Sequence, residues 1–97
     1  MLNPSQRLKE KKSEILAIAA KYGAHNVRVF GSVATGKATI NSDIDLLVKL
    51  ERGKTLLDHV RLVRELQLLL GCKVDLATEN SLKPRIKERV LNEAVPL

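Results

Sequence analysis

Aromatic side chains are nearly absent, at 2% of the chain: Tyr22, Phe30 and no tryptophan. A surface that stacks the bases of single-stranded nucleic acid needs several such rings, so that class of binding module is disfavoured. The core must then be built from Leu, Val, Ile and Ala. Cys72 is the one cysteine, which excludes a disulfide framework within the chain and gives no sign of a secreted protein. It lies in an apolar run and reads as a small core residue. No apolar stretch approaches the ~20 residues of a membrane-spanning helix. Met1 to Lys12 is polar and lacks a signal-type apolar region, so the expected compartment is the cytoplasm, without a membrane partner. There is no internal repeat and no low-complexity segment.

What is present fits one domain spanning residues 1–97. Hydrophobic residues make up 44%, enough for a packed core. The net charge of +6 suggests an anionic partner: a nucleotide, a nucleic acid or an acidic protein. A solvated basic surface is the alternative, because the Lys and Arg residues are spread along helices rather than gathered in one block.

Asn3-Pro4-Ser5 offers a cap and a first-turn proline for a helix over residues 5–22, with Leu8, Ile15, Ile18, Ala19 and Tyr22 on one side and Gly23 as the stop. Val27 to Phe30 reads as a strand that breaks at Gly31-Ser32. A small-residue segment, 33–37, suggests a helical turn or two, and 38–42 a loop. Asp43 to Leu50 reads as a second strand, with Asp43, Asp45 and Leu47 on one face and Ile44, Leu46 and Val48 on the other. Thr55 and Asp58 resemble a capping box opening a helix that Gly71 ends. Cys72 to Ala77 is a third strand, alternating Val74 and Leu76 with Lys73 and Asp75. Ser81 is a candidate cap for a last helix with Pro84 in its first turn, and Pro96 ends the pattern. This order predicts an α/β (α+β type) fold: a mixed three- to four-stranded sheet flanked by helices.

The acids carry the chemistry. Two residues apart on a strand, Asp43 and Asp45 share a face with Cα atoms about 6.5 Å apart. Their repulsion needs compensation, and a hard divalent cation supplies it. The alternative is a solvated strand face. The apolar run beyond the pair, and a third acid, Asp75, on the polar parity of another apolar strand, favour a shared metal. Gly31 permits close backbone approach to a ligand, Ser32 offers a hydroxyl, and a helical turn starting there presents free N–H groups to an anion. Alone, Gly-Ser is an ordinary strand-to-helix turn. His25 and His59 fit no metal-ligand or triad spacing.

Together Gly31-Ser32, Gly36 and Ser42-Asp43-Ile44-Asp45-Leu46 resemble the signature of the DNA polymerase β-type nucleotidyltransferases, most closely the stand-alone minimal branch (MNT). With Asp75 in Lys73-Val74-Asp75-Leu76, the resemblance covers most of the chain. It implies a sheet flanked by helices, catalytic Mg²⁺, as one ion or two, on Asp43, Asp45 and Asp75, and nucleotide phosphates held by Gly31, Ser32 and Ser42. Asp75 would help to activate the acceptor hydroxyl. Members of this branch are often antitoxins paired with HEPN-domain ribonuclease toxins, transferring AMP from ATP to a toxin tyrosine. Many relatives carry Arg just before the second glycine. Here the residue is Thr35, with Lys37 the nearest substitute cation.

Three readings are open. The first is a Mg²⁺-dependent nucleotidyltransferase that uses ATP. The second is a protein of the same fold that neutralises a partner by binding alone, which Thr35 mildly favours. The third, a nucleic-acid-binding module, is opposed by the scarcity of aromatics and by acids at the site. No chain length remains for the thumb and finger domains of a template-copying polymerase.

Overall fold

The computed structural model describes residues 3–97; Met1 and Leu2, which belong to the polar N-terminal stretch, lie outside the described residues. Asn3 opens α1 (Pro4–Glu10) with a reciprocal cap: its Oδ1 accepts from the Gln6 N–H at 2.9 Å, and its own N–H donates to Gln6 Oε1 at 3.1 Å. The single first helix expected over 5–22 is two helices. α1 stops at Glu10 and α2 runs Lys12–Lys21, with Lys11 (φ −101°, ψ 10°) between them. The run Lys9 to Ser13 has no apolar residue to hold the joint, while Leu8 on one side and Ile15 and Ala19 on the other are all buried.

Strand β1 (Ala24–Phe30) begins three residues before the expected Val27. Its early part pairs Ala24 with Leu50 and His25 with Lys49, and the register then shifts before Arg28, where Asn26 sits at φ 51°. Such a bulge adds a residue to one strand and re-aims the side chains beyond it. After α3 (Gly31–Ala34) and a loop comes β2 (Ile44–Leu50), so Asp43 stands one residue outside the strand. Thr55 and Asp58 form the expected capping box on α4 (Leu56–Leu70), and Gly71 ends it at φ 69°.

Next comes β3 (Val74–Thr78), which starts two residues later than expected, and then a 3₁₀ turn over Glu79–Ser81. Ser81 closes that turn instead of capping α5 (Pro84–Glu93), whose N-cap is Lys83. The chain ends in a short strand not expected from the sequence, β4 (Val95–Pro96), on the outer side of β1, where a proline removes no needed donor.

The sheet is mixed, as expected, with order β3-β2-β1-β4; β1 runs antiparallel to β2 and β4, and β2 runs parallel to β3. One face carries Val27, Val29, Ile44, Leu46, Val48 and Val74 into a core shared with Leu8, Ile15, Ala19, Leu62, Leu66 and Leu70 of α1, α2 and α4. Leu47, expected on the polar face with Asp45, is there by register, opposite Arg28 and Ala77. It is nevertheless fully buried, Val90 of α5 is buried too, and both lie outside the main core. The second face is therefore apolar at its middle and acidic at one end.

Candidate active site

That acidic end is where β1 finishes and where β2 and β3 start. Across the three strands Phe30 pairs with Asp45, and Asp45 with Asp75. Residues in register on neighbouring strands share a face at about 4.8 Å strand spacing, so the two carboxyls are side by side. The alternation read from the sequence puts both acids on this face. The pairing of β2 with β3, which no local pattern reveals, brings them together.

Asp45 is half-buried and Asp75 exposed. Burial is the largest influence on Asp45, followed by the charge of Asp75, a hydrogen bond with its carboxyl and the charge of Asp43; together they push the Asp45 carboxyl up to about 6 against a weak opposing pull from Lys73. Asp43 Oδ2 lies 3.9 Å from Lys73 Nζ, so this third acid is turned toward a cation. Among the described residues no three Asp, Glu, His or Cys side chains converge closely enough to hold a metal ion as they stand. The residues nevertheless fit a hard divalent cation. The donors are carboxylate oxygens, and the crowding that pushes the Asp45 carboxyl up is what such an ion relieves.

Gly31 makes the turn from β1 into α3 at φ 71°, and a Cβ added there would collide with Asp45 Oδ2. The turn requires the glycine, and its missing Cβ leaves room for the Asp45 carboxylate. Ser32 is next in the chain, and its hydroxyl makes no hydrogen bond among the described residues, so it is free for a ligand. Thr35 Oγ1 donates back to the Gly31 carbonyl at 3.1 Å, so it fastens the turn and does not replace the missing cation. Ser42 closes its own loop: its Oγ accepts from the Thr39 N–H at 2.8 Å. His25 bonds Glu51 at the far end of β1, away from the acids.

Arg28 is a largely buried charge that the sequence reading does not single out, and it pairs past the far end of β3 instead of joining the acids. It lies on the Asp45 face of β1, its side chain only 14% exposed, and its Nη2 donates to Glu79 Oε1 at 2.8 Å. A charged residue alternating with Val27 and Val29 is the one signal of it in the sequence.

The shift at Asp45 has a consequence for stability. Its folded pKa of about 6 exceeds the unfolded value near 3.8, so the folded state holds the proton more tightly and loses stability as pH rises through that window. Asn mimics the protonated acid. In metal-free protein the Tm gain of Asp45→Asn over wild type should be near zero at about pH 4, open up to about pH 6 and be level above about pH 7. Thermal melts in chelator check this; a gain independent of pH contradicts it.

The model of the nucleotidyltransferase domain family matches residues 9–97. The chain belongs to this family. It is 47% identical over 88 residues to a Methanocaldococcus jannaschii protein assigned to the protein adenylyltransferases, covering 91% of this chain and 95% of the relative. It is 41% identical over 75 residues to the protein adenylyltransferase MntA of Thermococcus cleftensis, covering 77% and 76%. A solved minimal nucleotidyltransferase superposes with a TM-score of 0.86 at 50% identity, covering 96% of this chain and 95% of that one. A toxin–antitoxin complex solved with AMP-PNP shares the fold, at TM-score 0.74 and 22% identity over 88% of this chain and 70% of that one. This nucleotidyltransferase is an enzyme of the minimal type, as the motif resemblance implies. Among its described residues no helix is long and apolar enough to cross a membrane.

Proposed function

We propose that this nucleotidyltransferase moves AMP from Mg²⁺-bound ATP to a tyrosine hydroxyl of a HEPN-type toxin, acting as the antitoxin of the pair in the cytoplasm. The observation that carries the proposal is the line Phe30–Asp45–Asp75 with the Gly31–Ser32 turn against its middle member. Carboxylates and a glycine–serine turn stand on the same end of one sheet face. The adenylyltransferase relatives and the toxin–antitoxin neighbour support the acceptor's being a protein.

In this reading Asp43, Asp45 and Asp75 would hold Mg²⁺. The ion, when bound, screens the phosphates and stabilises the charge that develops on the attacking and leaving oxygens. Gly31 lets the backbone come close to the phosphates, and Ser32 donates its hydroxyl to one of them. Asp75, the exposed acid, orients the incoming hydroxyl and accepts its proton. The acceptor oxygen bonds to the α-phosphorus as the bond to the bridging oxygen breaks, and pyrophosphate departs with that electron pair.

ATP labelled at the α-phosphate should pass its label to the partner encoded beside this chain, whereas γ-labelled ATP should pass none. Label from both positions would contradict transfer of AMP, and label from neither while a neutralising complex forms would favour binding alone. That second reading draws on Thr35, whose hydroxyl is committed to the turn and supplies no cation.

Ser32→Ala should weaken ATP binding by roughly 1–2 kcal/mol, the range for one hydrogen bond to a charged group. Calorimetry giving equal affinity for the two proteins removes Ser32 from the site.

A further inference from the structure

β3 is an edge strand, and its outer edge is protected unevenly. The Ile44 N–H donates to the Lys73 carbonyl at 3.0 Å, which fixes the alternation: residues 73, 75 and 77 direct their peptide groups at β2, and 74, 76 and 78 direct theirs outward. At one end the Val74 N–H donates to Gln67 Oε1 at 3.2 Å. At the other the Thr78 N–H donates to Ser81 Oγ at 3.0 Å, and that hydroxyl donates to the Thr78 carbonyl at 2.9 Å. Side chains thus cap both ends, which blunts open-ended strand pairing. Between them the Leu76 N–H and C=O have no partner among the described residues.

This gap opens into a cleft of about 390 Å³ between α4 and β3, lined by His59, Val60, Val63, Arg64, Val74 and Leu76, with Asp75 at its margin. Val60 is 52% exposed there although it is apolar. The cleft has room for one large apolar side chain, and its rim carries the Arg64 charge and the imidazole of His59.

We infer that the Leu76 edge is the docking point for an extended, acidic segment of the acceptor protein, which pairs one residue antiparallel with Leu76. This rests on the transfer reading above. The geometry sets the register. The paired residue exchanges two hydrogen bonds with Leu76 and sends its side chain into the α4 cleft. The residue after it then lies opposite Asp75, at about 4.5 Å between Cα atoms, on the face of the carboxylates. A hydroxyl-bearing residue there meets the acid that orients it. Residues two away on either side return to the α4 face near Arg64 and His59, where acidic side chains are favoured. The capped N–H groups of Val74 and Thr78 limit reciprocal two-bond pairing to Leu76, which selects a short segment and not a full added strand.

The test uses the ¹⁵N-labelled full chain and the peptide acetyl-Glu-Glu-Leu-Tyr-Glu-amide. Titration should shift the Leu76 and Val60 amide signals and leave the side-chain-capped amides of Val74 and Thr78 hydrogen-bonded as before. N-methylation of the peptide leucine, which deletes the donor to the Leu76 carbonyl, should weaken binding by at least about fivefold. Leu76→Pro deletes the facing N–H at a position where an edge strand tolerates proline, and should weaken it similarly. Val60→Asp, an exposed substitution that keeps the fold, should repel the acidic peptide by charge. An unmoved Leu76 signal, or equal binding of the N-methylated peptide, overturns the inference. Adding Mg²⁺ and ATP separates the two claims. AMP on the tyrosine without a Leu76 shift discards the docking edge and keeps the transfer reading. A Leu76 shift without AMP addition keeps the edge and counts against the transfer reading.

Discussion

Replacing Asp45 by Asn is expected to cut AMP transfer by at least about a hundredfold while raising the melting temperature of the metal-free protein. The loss follows from position. Asp45 is the middle carboxyl of the row, beside Asp75 and against Gly31. Outer-shell partners of metal ligands already cost about 10–100-fold when changed, and a direct ligand should cost no less. The gain follows from the same crowding. A carboxyl pushed up to about 6 destabilises the folded state at neutral pH. A two-unit shift in a dry site would correspond to about 3 kcal/mol. Solvent around this half-buried group reduces that to about 1 kcal/mol. For a domain of this size that is a rise of ~4–8 °C. Transfer assays and melts on one preparation check both parts. A variant that loses activity because it is less stable contradicts this account of Asp45.

The other large effect is expected from Gly31→Ala. A left-handed conformation costs an L-residue about 1–2 kcal/mol, and here the new Cβ also meets Asp45 Oδ2. The conformational part alone should lower the Tm by roughly 4–16 °C. Gly53→Ala is the control. Gly53 has φ 85° and open space where its Cβ would be, so it bears the conformational cost without the collision. Gly31→Ala should therefore be the less stable of the two. It should also bind ATP more weakly, since the turn and the acid are displaced together. Equal melting temperatures for the two variants would show that the approach of Gly31 to Asp45 constrains nothing.

The site is legible in the sequence where its signals are local. Asp45 and Asp75 declare themselves as acids on apolar strands, Asp43 as an acid just before one, and Gly31-Ser32 as a break after one. The Thr55–Asp58 cap and the Gly71 stop are likewise readable, because each is a local hydrogen-bond pattern. The hidden features depend on tertiary pairing. The early start of β1 needs Leu50 and Lys49 opposite Ala24 and His25, and β4 exists only against Arg28 and Val29. Leu47 shares the Asp45 parity, so alternation groups it with a polar face; burial on the second side of the sheet is not written in β2. The break at Lys11 leaves no mark because helix propensity through the Lys-rich run is good, and only packing separates α1 from α2. Asp43 shows the same limit within the site. The spacing joins it to Asp45, but its carboxylate leans toward Lys73 on the neighbouring strand.

Whether the carboxylate row is a metal–nucleotide site is answered most directly by a crystal of this protein with Mn²⁺ and AMP-PNP, using anomalous scattering to locate the metal. The expected result is a peak bounded by Asp43, Asp45 and Asp75, with Asp43 swung away from Lys73 and a phosphate within hydrogen-bond distance of Ser32 Oγ. A metal elsewhere, or a nucleotide bound with no contact to Asp45 or the Gly31–Ser32 turn, would contradict the account.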